Sequence, residues 1–271
     1  MTAIDPDNAT DADGPAENRN SPPTGERENV TDRLTRARRL LATAGVLAGL
    51  LAFGVGEAIY ELIPAEIGTV RTMGNIIAAP TPETISTAEI RNGALTFGAF
   101  GMCLGACLGI AGGRTRRSAS ATVLAGCLGS ALGLTAGVGV SLVSLPFFLK
   151  IQPDHLEYEV IISVFMHASV WGSIGAAAGL AFAVGMREPA MFVRALAGGF
   201  VGALLGTIAF DLIGGALFPL ANTALPISTS WPTRLMARLL VSIATATFLI
   251  LSLGTPRAHD FARNAPSTPA R

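Results

Sequence analysis

Six stretches of this chain are long and apolar enough to cross a lipid bilayer: approximately residues 40–63, 92–112, 120–146, 160–185, 191–219 and 234–254. A helix needs roughly 20 apolar residues to span the hydrocarbon. Inside that slab every backbone N–H and C=O must be paired, which leaves only helices or a closed barrel. A barrel is written in short strands of alternating polarity, and these runs are continuous. The expected fold is therefore all-α: a polytopic membrane helix bundle of about six transmembrane helices.

The distribution of charge agrees. Soluble domains carry about 25% charged residues; this chain carries 14%. Residues 1–39 hold eight acidic and six basic residues, after which long stretches hold none. Three regions follow. Residues 1–37 form a polar tail without an apolar face, expected to be disordered, and 38–256 form the membrane domain. Residues 257–271 form a second short tail. No apolar run follows an early basic start, so the first segment does not read as a signal peptide. The run from Leu40, preceded by Arg33, Arg36, Arg38 and Arg39, reads as an uncleaved anchor.

Arginines also give the orientation, because cytoplasmic loops are enriched in basic residues. The N-terminal flank, the 113–119 loop (Arg114, Arg116, Arg117), the 186–194 turn (Arg187, Arg194) and the C-terminal tail (Arg257, Arg263) alternate with poorer loops. Both termini are expected in the cytoplasm of a cell-membrane protein. In the long loop 64–91, Ile67, Val70, Met73, Ile76 and Ile77 recur at helical spacing. A short surface helix is expected there, stopped by Ala79-Pro80-Thr81-Pro82.

The runs resemble one another. Leu47-Ala48-Gly49 matches Leu124-Ala125-Gly126 and Leu196-Ala197-Gly198; the segment 104–111 matches 174–181. These matches predict three hairpins in parallel repeat. Mitochondrial carriers share that layout, but their Pro-x-acidic-x-x-basic motif is not met. Pro64 is followed by Glu66 and then Thr69, and neither Pro146 nor Pro219 has an acid at the second position. Glycines recur every fourth residue at Gly101, Gly105, Gly109 and Gly113, at Gly129, Gly133 and Gly137, and at Gly198, Gly202 and Gly206. Such spacing lays a smooth groove along one helix face and lets helices approach closely.

Charge inside the runs is the functional lead. An ionisable side chain facing lipid at the bilayer centre costs about 2.5–3.5 kcal/mol by insertion scales. Glu57, Glu61, His167, Asp211 and Arg238 all fall in the outer half of their helices by residue count. Two readings are open. In one, these five residues bind a substrate or ion: Glu57 and Asp211 take a cation or proton, His167 relays it, and Arg238 tunes them, with Trp171 as a wall. In the other they are a buried staple, with Asp211 bridged to Arg238 and with Glu61 and Arg234 reaching to the interface. Like-charged Glu57 and Glu61, four apart, need a base to answer them.

Other chemistry finds little support. There is no Walker-type phosphate loop, no H-E-x-x-H and no G-x-S-x-G. His155, His167 and His259 are scattered, and Cys103, Cys107 and Cys127 lie inside apolar runs, read as packing residues. Ser141 and Ser144 with a distant His167 do not fix a nucleophile–base pair. No enzyme activity, cofactor or metal is expected. Net charge is zero, so nucleic acid is not an expected partner. The partners expected are the bilayer and a second copy or another membrane protein. The expected function is a small transporter or permease with a polar site in the outer half of the bilayer; the alternative is a non-catalytic scaffold or complex subunit with structural charges.

Overall fold

The computed structural model describes residues 24–72, 75–151, 159–223 and 225–254. Six long helices make up the chain: α1 (Thr24–Ala58), α2 (Pro82–Arg114), α3 (Ala119–Ile151), α4 (Glu159–Met186), α5 (Phe192–Leu217) and α6 (Trp231–Ser252). Each contains a span long and apolar enough to cross a bilayer. Large apolar side chains stand outward all round, among them Phe147 at 68%, Phe165 at 73% and Leu212 at 70% exposure. An outer surface of this kind is suited to lipid, since soluble monomers rarely expose large apolar patches. The chain is a multi-pass helical membrane protein.

Helix ends differ from the sequence reading in three places. α1 begins at Thr24, so residues 24–37 are helical rather than part of a disordered tail. Once the apolar run has nucleated a helix, extending it costs little. The remaining tail assignments, 1–23 and 257–271, lie outside the described residues. α1 stops at Ala58, and Glu61 follows in a turn with φ 50°. α3 runs through Pro146 to Ile151, because in an apolar surround the helix satisfies its backbone better than any loop would.

The surface helix expected in 64–91 is instead a β-hairpin. β1 (Ile67–Thr72) pairs antiparallel with β2 (Asn75–Pro80), Val70 facing Ile77 and Thr69 facing Ala78. Ile67, Thr69, Val70, Thr72, Ile76 and Ile77 are β-branched, and that stiffness favours strand over helix. Met73 lies outside the described residues. The proline pair does set a boundary: Thr81 caps α2 with a reciprocal bond to Thr84, and Pro82 occupies its first turn.

Five helices close a ring. α1 packs on α2, α2 on α4, α4 on α5, α5 on α6, and α6 back on α1. α3 sits outside the ring across α2 and α4. The ring's interior is filled mainly by apolar side chains, including Leu41, Leu104, Leu108, Ile174, Phe182, Val241 and Leu249.

The tightest seams are glycine on glycine. A Cβ at Gly101 would strike the carbonyl of Gly133, one at Gly105 that of Gly129, and one at Gly109 that of Ala125. The same holds between α4 and α5: Gly175 faces Gly199, and Gly179 faces Ala195. One constant offset separates Gly105 from Gly175, Gly109 from Gly179, Ala125 from Ala195 and Gly129 from Gly199. The recurring unit is thus a hairpin of an even helix and the odd helix after it, present as α2–α3 and α4–α5. The match between 104–111 and 174–181 belongs to this two-fold recurrence, whereas that between 124–126 and 196–198 is out of its register. α1 and α6 stand outside it and close the ring.

Candidate functional site

Four of the five residues expected to form a site converge at one end of the ring. They make two clusters on either side of a single cavity. Glu57 leads the first. It projects from the last turn of α1 toward α6 and accepts two parallel bonds from Arg234, Nε to Oε1 at 2.7 Å and Nη2 to Oε2 at 2.6 Å. Arg238, one turn further along α6, approaches the same carboxylate at 3.5 Å and donates to the carbonyl of Phe53 at 3.3 Å. Gly56 makes room for it: a Cβ there would overlap the Arg238 guanidinium. Arg234 also lies over the Tyr60 ring, 3.8 Å from its centroid, and donates to the carbonyls of Ser228 and Thr229 at 3.0 and 2.9 Å. Both arginines are buried.

Sequence reasoning treated Arg234 as an interfacial side chain. It is instead the best-bonded cation in the bundle, because the α5–α6 loop folds inward and supplies carbonyls. No sequence signal marks those carbonyls, which are backbone groups. The expected Asp211–Arg238 bridge does not form; Arg238 goes to Glu57 and Asp211 goes to His167. Glu61 lies beyond the end of α1 with its side chain exposed, and it meets the first cluster only at its edge, through Tyr60 and the field of Arg234.

The second cluster ties α4 to α5. His167 Nδ1 lies 3.1 Å from Asp211 Oδ1 and 3.4 Å from Ser163 Oγ, and Nε2 lies 3.2 Å from the Leu225 carbonyl. A carbonyl only accepts, so Nε2 carries a hydrogen. The contact between Nδ1 and Asp211 then needs one more proton, held by the ring as an imidazolium or by the carboxyl as an acid. Asp211 Oδ2 is buried and has no partner among the described residues.

The cavity between the clusters is small, about 30 Å³, room for a water or two. His167, Arg234, Arg238, Thr96 and Trp171 are among its walls, and residues 225–228 of the α5–α6 loop cover it. Thr96 Oγ1 is a second buried polar atom without a partner among the described residues, a site residue that sequence reasoning missed because one threonine in an apolar run carries no signal. Trp171, stacked edge-on against Phe97 and Phe100 at 5.2 and 4.6 Å, is both core and cavity wall. Ser141 bonds the carbonyl of Gly137 in its own helix, and Ser144 pairs with Ser169. Cys103 and Cys107 pack against the core. His155 and His259 lie outside the described residues.

The chain's recurrence gives these residues a contrast. At the offset that relates α2–α3 to α4–α5, Phe97 stands where α4 has His167, and Ser141 where α5 has Asp211. One hairpin therefore carries the His–Asp pair and its counterpart carries none. Around the cavity two arginines share the Glu57 carboxylate, Arg234 through two short bonds and Arg238 at 3.5 Å, and Glu61 acts on Arg234 from beyond the end of α1. Compared with known proteins, the chain matches no family model, no curated protein and no solved structure.

Proposed function

We propose that this protein is a small proton-linked membrane transporter whose polar site is the cavity between His167–Asp211 and Arg234–Arg238. In this reading the site lies in the outer half of a cell membrane and both termini face the cytoplasm, the side richer in arginine. His167 and Asp211 take up and release one proton. Arg238, which shares Glu57 with Arg234 and meets it only at 3.5 Å, favours a small anion as the co-bound solute. The α5–α6 loop covers the site, and the aromatic group of Phe97, Phe100 and Trp171 separates it from the apolar interior below.

One observation carries the reading: His167, bonded to an Asp211 whose Oδ2 is buried without a partner among the described residues, lines a cavity that is also lined by Arg238, held only at 3.5 Å from Glu57. A staple that served folding alone would match its charges, since buried charge without a partner destabilises.

The test is flux in sealed proteoliposomes with a pH-sensitive dye inside and small monoanions outside. Wild-type protein is expected to acidify or alkalinise the lumen in step with the anion gradient. Asp211→Asn and His167→Phe are expected to abolish this while melting close to the parent; the phenylalanine copies the residue at the equivalent place in α2. Flux that survives Asp211→Asn would sink the reading.

The second reading, a scaffold with structural charges, is favoured by the paired bonds from Arg234 to Glu57 and by its stacking on Tyr60. A protein with no flux for any anion and a partner retained in mild detergent is what that reading expects.

A further inference from the structure

The end of the bundle opposite the charged cavity carries two adjoining clefts that the transport reading leaves unused. α1 and α3 both pack on α2 but scarcely on each other, so α2 floors a groove between them. Where α1 emerges and α2 turns into α3, one cleft of about 410 Å³ is lined by Arg33, Arg36, Arg116 and Arg117 with Asp32 and Thr115. The next, about 510 Å³, shares Arg36 and Arg117, adds Arg114, and is walled by Leu40, Ala119 and Thr122. Arg33 is already engaged, with Glu188 at 3.3 Å and the Met186 carbonyl at 3.5 Å. Among the described residues, no carboxylate forms an ion pair with Arg36, Arg114, Arg116 or Arg117.

Guanidiniums that outnumber the carboxylates beside them, here four in the first cleft against Asp32 alone, repel one another, and an anion set among them relieves that repulsion. The fork of N–H donors on arginine matches the oxygens of a phosphate. The second cleft adds an apolar wall beside the charged one, at a helix end where headgroups meet the hydrocarbon. A ligand that needs both walls has a phosphate joined to an apolar chain. Basic pockets between transmembrane helices are a known setting for anionic headgroups.

We infer that this double cleft binds one anionic phospholipid. Arg36 and Arg117, common to both clefts, hold its phosphate; Arg116 closes one side; and an acyl chain runs past Leu40 and Ala119 into the groove over α2. The inference rests on the membrane fold and not on the transport reading.

The experiment uses the full chain purified in mild detergent and titrated with phosphatidylglycerol, phosphatidylcholine or inorganic phosphate. Native mass spectrometry counts retained lipid, and melting gives a second readout. Phosphatidylglycerol is expected to be retained and to raise the melting temperature, and phosphatidylcholine is not. Arg36→Gln/Arg117→Gln is expected to weaken phosphatidylglycerol about 25-fold, from about fivefold per arginine near an anionic headgroup. Arg187→Gln/Arg194→Gln, exposed at the same end but outside the clefts, is expected to change it less than about twofold by the same reasoning. If the first double variant does not fold, Arg114→Gln alone must still weaken the lipid about fivefold. Equal retention of the two lipids, or an equal loss in the control variant, overturns the inference in favour of diffuse surface charge. Inorganic phosphate matching phosphatidylglycerol at the same concentration overturns the lipid in favour of free phosphate.

Discussion

Glu57 faces two buried arginines at once, and its removal leaves both without a carboxylate. Breaking a buried ion pair from one side typically costs about 3–5 kcal/mol. Glu57 is partly exposed, so Glu57→Gln is expected to lower stability by about 3 kcal/mol, the bottom of that range. Unfolding in mixed detergent measures it. Glu61→Gln, whose side chain is exposed beyond the end of α1, is expected to stay within about 0.5 kcal/mol of the parent. The two glutamates are alike in sequence, four apart at the end of one apolar run. What separates them is where α1 stops, and no residue of the run announces that stop. Likewise the charge at 234, 238, 211 and 167 is plain in the sequence, whereas the exchange of partners from Asp211–Arg238 to Glu57–Arg238 and His167–Asp211 follows from helix rotation.

At the scale of elements, the glycine seams decide how closely helices approach. Gly105 and Gly129 face each other so closely that a Cβ on either would strike the backbone carbonyl of the other, and backbone cannot yield as a flexible side chain does. Gly105→Ala is expected to destabilise by about 1–3 kcal/mol, the range for overpacking. Gly139 in the next helix has open space where its Cβ would lie, so Gly139→Ala is expected to be neutral or mildly stabilising, since glycine is the poorer helix former. Equal melting of the two variants would remove the seam as a determinant of α2–α3 packing. The four-residue spacing of these glycines is legible in the sequence. Which helix each stripe meets is not, because α2 carries glycines on more than one face: Gly112 abuts Phe182 of α4 while Gly105 abuts α3. The hairpin β1–β2 shows the opposite limit. Its apolar residues satisfy a helical spacing and show no strand alternation, and β-branching is the signal that agrees with the strands.

For the molecule as a whole, contacts between distant segments fix which ends lie together. Arg38 donates to the Gly254 carbonyl at 3.4 Å, and Arg33 pairs with Glu188, so the start of α1, the end of α6 and the α4–α5 turn share one end of the bundle. In a cysteine-free background, Thr35→Cys and Arg194→Cys are expected to react with an impermeant maleimide from the same side of a sealed vesicle. Ile76→Cys in the hairpin is expected to react only from the other side. Labelling of Ile76→Cys and Thr35→Cys from one side would contradict a six-crossing bundle. The ring α1–α2–α4–α5–α6, with α3 outside it, gives the cavity its place: helices distant in sequence contribute its walls, and a loop between α5 and α6 seals it.

The sequence by itself determined that this chain lives in a bilayer as about six helices, because apolar length and backbone satisfaction in lipid leave no other solution. It also determined that Glu57, His167, Asp211 and Arg238 must turn away from lipid, since charge is poorly tolerated there. Only the tertiary structure decided what they turn toward. Partner choice among buried charges depends on helix rotation, on where α1 ends and on carbonyls presented by an inward-folded loop. None of these is written in the spacing of side-chain types along one helix.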